Sequence, residues 1–210
     1  MAEQLTMNHV IHNAVRRDLS RLDAALAAAP PGNTARARDL AKAYTNLRTE
    51  LTHHHQQEDR LVFPALGRLG IDRTLLEEMD HEHEAMVAAL TDTAAAMDAY
   101  AASATAESSA TARQSVGSTT EVIERHLAHE EGELDPQVAR VVDTEEWKAV
   151  EKAFRKQSPV RSGRFFAWLL DGADPDSAAY LRSSVPPPVI FVLTKVFGRG
   201  YTKDIAPVWR

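Results

Sequence analysis

The chain of 210 residues has no cysteine. That absence excludes a disulfide framework, metal sites built on thiolates, and any enzyme with a cysteine nucleophile. Long apolar runs are missing as well. The best candidate, PVIFVLTKVF at residues 188–197, is half of the ~20 residues a membrane helix needs. No basic, apolar, small-residue leader opens the sequence, so the expected compartment is the cytoplasm. Basic charge is scarce over most of the length. The first 146 residues carry 13 Lys plus Arg against 25 Asp plus Glu, whereas the rest carries 11 against 5. Phosphate binding wants a basic surface, so nucleic acid is not expected as a partner. Aromatic residues are few, at 6%, and Trp147, Trp168 and Trp209 all fall in the last third. What remains is an ordinary globular composition, 44% apolar and 26% charged, long enough for one buried core plus an appendage.

No strand-like alternation runs through the sequence, and helical signals dominate. Residues 3–29, rich in Ala, Leu and Arg, stop at Pro30, Pro31 and Gly32. A second helix is expected from Thr34 to Val62, ended by Pro64, Gly67 and Gly70. Asp72 would cap a third, reaching Ala104. A Ser/Thr/Ala-rich joint at 103–111 reads as loop or frayed helix before a fourth helix from Thr111 to Glu131. Four such helices with short connections predict an all-α, up-down antiparallel four-helix bundle over residues 1–142. Residues 143–210 form a C-terminal extension, opening with a helix whose Asp143 and Glu146 suit a capping box and which ends near Ser158 and Pro159. Exposing its aromatics would be costly, so the extension should pack on the bundle. There it would cap an end, cover an access route, or meet a partner protein or second copy.

Two stretches echo each other: HHHQQEDRLVFP at 53–64 and HLAHEEGELDP at 126–136. His54, Glu58, Asp59 and Pro64 align with His126, Glu130, Glu131 and Pro136. Nine histidines, at 9, 12, 53, 54, 55, 81, 83, 126 and 129, fall in four clusters, one on each expected bundle helix. Helical phase separates them. Tyr44, Leu47 and Leu51 continue to His54, Glu58, Leu61 and Ala65, whereas His53 joins the polar series Asn46, Glu50, Gln57 and Arg60; His55 lies at the boundary. His83 keeps phase with Leu76, Met79, Met86 and Leu90; His126 and Glu130 with Val116, Thr119, Ile123 and Leu134. His12 leads Val15, Leu19, Leu22 and Leu26, with His9 one turn earlier. The inward set is therefore His12, His54, Glu58, His83, His126 and Glu130.

His12 and His54 are 42 residues apart, His83 and His126 43, so each helix hairpin gives one His, then His-x-x-x-Glu. Buried carboxylates persist when paired or bound to metal. The plain alternative is a His–Glu network without metal. The donor set is too large for one tetrahedral zinc and too rich in nitrogen for magnesium or calcium. It suits two iron ions, each with two histidines, bridged by both glutamates and by an oxo or hydroxo group, each keeping one open position. A ferritin-like Glu-x-x-His arrangement also exists, in Glu50 with His53 and Glu78 with His81, but both pairs fall on polar faces.

Taken together, VIHNAVRRDL, HHHQQEDRLVFP, EHEAM and HLAHEEGELDP resemble the hemerythrin-like, or HHE, cation-binding domain over residues 5–137. The resemblance implies a four-helix bundle with a non-haem diiron centre that binds O2 or related ligands, held by the same six residues. One feature departs from the oxygen carriers, which place two histidines four apart on the third helix. Here the positions four from His83 are Met79 and Val87, which leaves a more symmetric, open site unless His9 or His55 substitutes. Three functions follow. The centre could bind O2, peroxide or NO for storage, sensing or detoxification. It could be an oxidase, oxygenase or peroxidase, with Tyr44 and Met79 as redox neighbours or as plain packing. In the third, the metal is structural or sensory and the extension acts through a partner.

Overall fold

In the computed structural model, which describes residues 5–210, every regular element is helical. Residues 3 and 4 of the first expected helix lie outside the described residues. Helix α1 (Met7–Ala28) begins where the Thr6 side chain accepts the His9 N–H. Helix α2 (Thr34–Gln57) is capped in the same way by Asn33. Pro64 does not end that helix. It has no N–H for the Arg60 carbonyl, and the chain instead bonds the Phe63 N–H to the Glu58 carbonyl. The result is a π-helical turn, Glu58–Val62, leading into α3 (Phe63–Arg68). The extra residue shifts the helical phase, so Leu61 is only partly buried while Val62 and Leu66 go inside.

Helix α4 (Arg73–Ser103) is capped by Asp72, as expected, and ends on left-handed Ala104. The expected long joint at 103–111 is a correction. Thr105 and Ser108 cap each other's backbone, and α5 (Ala106–His129) starts at once. This helix also meets a proline through a π turn, Glu130–Leu134, before the short α6 (Asp135–Val138). The cap of α7 (Glu145–Phe154) is Thr144 rather than Asp143, and Ser158 caps the next helix, α8 (Pro159–Leu170). The chain finishes with α9 (Pro175–Ser184), α10 (Pro187–Val192), a π turn Leu193–Phe197, α11 (Arg199–Asp204) and a final 3-10 turn.

Helix α1 packs on α2 and α5, and α4 packs on the same two, so the four long helices close a ring. Their apolar stripes meet in one large core, with Leu19, Leu22, Leu47, Leu51 and Leu90 essentially inaccessible. A second, smaller cluster joins the two π turns to the start of α4 and to Val150 of α7. Along α2, α4 and α5 the histidines fall between these clusters, as in Leu51, His54, Val62 and in Met79, His83, Met86. A polar layer of histidines thus interrupts the apolar interior at one level, and the buried hydroxyls of Thr93 and Thr119, 2.8 Å apart, interrupt it at another.

Residues beyond 143 pack into the large core and, among their polar contacts with this body, engage two buried carboxylates. Trp168, fully buried, donates its indole N–H to Asp18 at 2.8 Å, and Arg17 and Arg21 also hold that carboxylate. Arg161 forms a two-pronged pair with Glu50, each contact 2.6 Å. Glu50 is 2% exposed, so the polar face of α2 is covered at Asn46 and Glu50, while Arg60 on the same face is exposed. Helix α8 crosses the last π turn where Gly163 meets Phe197 and the Leu193 carbonyl, an approach that leaves no room for a Cβ. Phe191 remains 62% exposed, so not every aromatic of the extension is buried. No helix among the described residues is long and apolar enough to cross a membrane.

Candidate metal centre

The polar layer brings together all six residues expected to face inward. His12 comes from α1, His54 and Glu58 from the end of α2 and its π turn, His83 from α4, and His126 and Glu130 from the end of α5 and its π turn. His12 Nε2 lies 3.2 Å from Glu130 Oε2, and His54 Nε2 lies 3.1 Å from Glu58 Oε1. His83 Nε2 is 3.6 Å from Glu58, and His126 Nε2 is 3.7 Å from Glu130.

His55 joins them. It is 3% exposed, and its ring stacks on His83 with centroids 4.2 Å apart. His55, His83 and His126 each bring a donor atom into a group within 4.8 Å; His12, His54 and Glu130 form a second such group, and His54, His55 and Glu58 a third. Phase alone left His55 at a boundary, because its burial comes from His83 of α4 and His126 of α5, which a single-helix pattern does not contain. His9 does not join: its ring bonds Thr6 and approaches Asp135 at 3.7 Å.

Every one of the five Nε2 atoms is buried without a hydrogen-bond partner, as are Glu58 Oε2 and Glu130 Oε2. Each such orphan costs about 1–3 kcal/mol; with His12 Nε2 and Glu130 Oε2 set aside as an ion pair at 3.2 Å, the other five in one layer still make a strong demand for a cation. Three of the opposite ring nitrogens have carboxylate partners. His12 Nδ1–H donates to Glu131 at 2.8 Å, His83 Nδ1–H to Asp59 at 2.7 Å, and His126 Nδ1–H to Glu82 at 2.9 Å. A carboxylate can only accept, so Nδ1 carries a proton in each of these rings and Nε2 is the nitrogen turned inward. Carboxylate support of this kind is what metal-ligating histidines use. Asp59 and Glu131 are the acids that follow Glu58 and Glu130 in the two echoed motifs, so a sequence signal for them existed. Each reaches the histidine of the other hairpin. Glu82 had no such signal; it also accepts from His129 at 2.9 Å.

The protonation states reflect the crowding. Burial works against a charge on His12, yet Glu130 and Glu131 outweigh it and raise its pKa to about 9. Burial drives His54 down to about 3, aided by the charge on His12, and lowers His55 and His126 too. Burial and the neighbouring Glu130 push Glu58 well above the usual carboxylate range, whereas His12 more than offsets burial and holds Glu130 low. One proton cannot satisfy this donor set, but cations can.

The ferritin-like pairs do not converge. Glu50 is taken by Arg161, Glu78 is exposed, and the exposed His81 donates to the Glu77 carbonyl at 2.6 Å. Tyr44 donates its hydroxyl to the Leu90 carbonyl at 2.6 Å and Met79 is fully buried, both as packing predicts.

A family model described as the hemerythrin HHE cation binding domain matches residues 7–138. The chain belongs to the hemerythrin HHE family. Comparison with curated proteins and with solved structures gave no match. The hemerythrin match contains every residue of the polar layer and its supporting acids, and stops before α7. Cation binding is thus the coarse function of this hemerythrin-type domain.

Proposed function

We propose that residues 1–142 form an up-down antiparallel four-helix bundle holding two iron ions, with residues 143–210 as an extension packed on it. The ring of helix contacts and the short turns support the bundle; the Trp168–Asp18 and Arg161–Glu50 pairs support the extension. His12 and His54 would hold one ion, His83 and His126 the other, with Glu58 and Glu130 shared. The observation that carries this reading is the set of unpartnered Nε2 atoms turned toward two buried carboxylates.

Ferrous ions there would supply the electrons that O2, peroxide or NO accepts or shares on binding. The chain's own part is positional. Asp59, Glu82 and Glu131 fix the imidazoles through Nδ1, so the donors keep their aim as a ligand arrives or leaves. The apolar clusters on both sides keep the layer dry. Neutral imidazoles with few bridging carboxylates favour reversible ligation, which suits storage, sensing or detoxification of a small ligand.

A second reading, an oxidase, oxygenase or peroxide-decomposing enzyme, is favoured by Asp135. Its Oδ2 is buried and unpartnered, and burial beside Glu130 raises its pKa to about 6, so it can hold a proton near the site. The test is to expose reduced, iron-loaded protein to O2, NO and peroxide while following its optical spectrum. The binding reading expects stoichiometric uptake that reverses under vacuum. Sustained loss of peroxide without retained ligand would replace it with the enzyme, and inertness toward all three ligands would remove both.

A further inference from the structure

The six expected ligands are related by the echo between the two motifs, but the polar layer is not symmetric. His54 aligns with His126, and the next position is His55 in one motif and Leu127 in the other. Leu127 is fully buried in the apolar core. His55 is also buried, yet its Nε2 has no hydrogen-bond partner, and with His83 and His126 it forms a group of donor atoms within 4.8 Å of one another. Its ring stacks on His83 at 19° and meets His126 edge-on at 5.3 Å between centroids. An apolar side chain would fill that volume without an orphaned nitrogen, as Leu127 does, so packing alone does not account for a histidine.

We propose that His55 is a fifth histidine ligand, supplied by α2 in place of the third-helix histidine whose positions hold Met79 and Val87. The inference rests on the two-iron reading above and assigns its asymmetry. His55, His83 and His126 would hold one ion and His12 and His54 the other, with Glu58 and Glu130 common to both. For six-coordinate iron sharing one solvent bridge, three histidines, two carboxylates and the bridge fill the first ion. The second keeps a single open position on the His12 and His54 side. The centre therefore takes one small exogenous ligand per pair of irons, not two.

The experiment uses the full-length ferric protein, its His55→Leu variant, which copies the Leu127 solution, and His53→Ala as control. Iron per chain, the Mössbauer spectrum and a titration with azide are measured on each. Wild type is expected to give two quadrupole doublets of equal area and to bind one azide per two irons. His55→Leu should bind a second azide with its doublets drawn together, or should lose one iron, while His53→Ala matches wild type. A wild type with one doublet and two azides per iron pair overturns the proposal without reference to any variant. So does a His55→Leu protein identical to wild type in all three readouts. A wild type that binds no iron pair at all contradicts the broader two-iron reading instead, so the two failures are distinct.

Discussion

Replacing Asp59 by Asn should weaken metal binding about 10–100-fold, the usual cost of losing a carboxylate behind a ligating histidine. Asp59 accepts from His83 Nδ1–H at 2.7 Å and makes no other side-chain hydrogen bond. Asparagine keeps the shape and one acceptor oxygen, but the bond is no longer charge-assisted and is roughly half as strong. The imidazole becomes a poorer donor and its ring is held less firmly. At about 1.4 kcal/mol per factor of ten, the loss is about 1.4–2.8 kcal/mol of metal affinity. The Asp59 side chain is 40% exposed, so the metal-free fold should change by less than about 0.5 kcal/mol. Asp59→Ala should fall at the large end of the range. Glu131→Gln should do the same to the ion held by His12, because Glu131 stands in the same relation to that ring. The assay is competition with a chelator of known affinity, with urea unfolding of the metal-free proteins as control. Affinity within twofold of wild type for both Asp59 variants would refute the reasoning, as would a loss that merely tracks reduced folding stability.

Arg161→Met leaves the Glu50 carboxylate buried without its cation and should cost about 3–5 kcal/mol of stability in urea melts. Adding Glu50→Gln to that variant should recover most of the loss; failure to recover would mean that the pair is not the cause. Metal binding should release protons at pH 7, because His12, with its pKa raised to about 9, must give up about one proton before its Nε2 can ligate. Calorimetry in buffers of different ionisation enthalpy measures that number, and no release would contradict the placement of His12. Stability of the metal-free protein should pass through a maximum near pH 6.5. The contribution of His12, whose pKa is raised, is complete below its unfolded value of 6.5 and lost as pH rises through about 9. His54, lowered to about 3, stabilises above 6.5 and loses that contribution as pH falls toward 3. A melting temperature that keeps rising above pH 6.5 would contradict the His12 shift, and one that does not rise between pH 3 and 6.5 would contradict the His54 shift.

The inward histidines were legible because phase on a long amphipathic helix is a local property. Tyr44, Leu47 and Leu51 mark the buried stripe of α2, and three residues on from Leu51 the stripe reaches His54 rather than His53. Three other features were not legible, each because it depends on something distant or on a backbone alternative. Pro64 read as a stop and the fourth helix as ending at Glu131, yet the chain passes Pro64 and Pro136 by changing to i→i−5 bonds. Glu50 read as solvent-facing because its partner, Arg161, lies 111 residues away. The inward turn of His55 needs α4 and α5 closing over the end of α2, which no single-helix argument contains. The place of His55 in the polar layer thus went unassigned, although the six residues that phase turns inward do meet there.

The most direct test of the two-iron reading is iron per chain, by elemental analysis, for wild type, His54→Ala and His53→Ala purified from iron-supplied cells. The expected result is about two irons in wild type and His53→Ala, as a two-metal site requires, with clear loss in His54→Ala. A single zinc or no metal in wild type, or equal loss from both variants, would mean that the polar layer is a hydrogen-bonded core and not a metal centre.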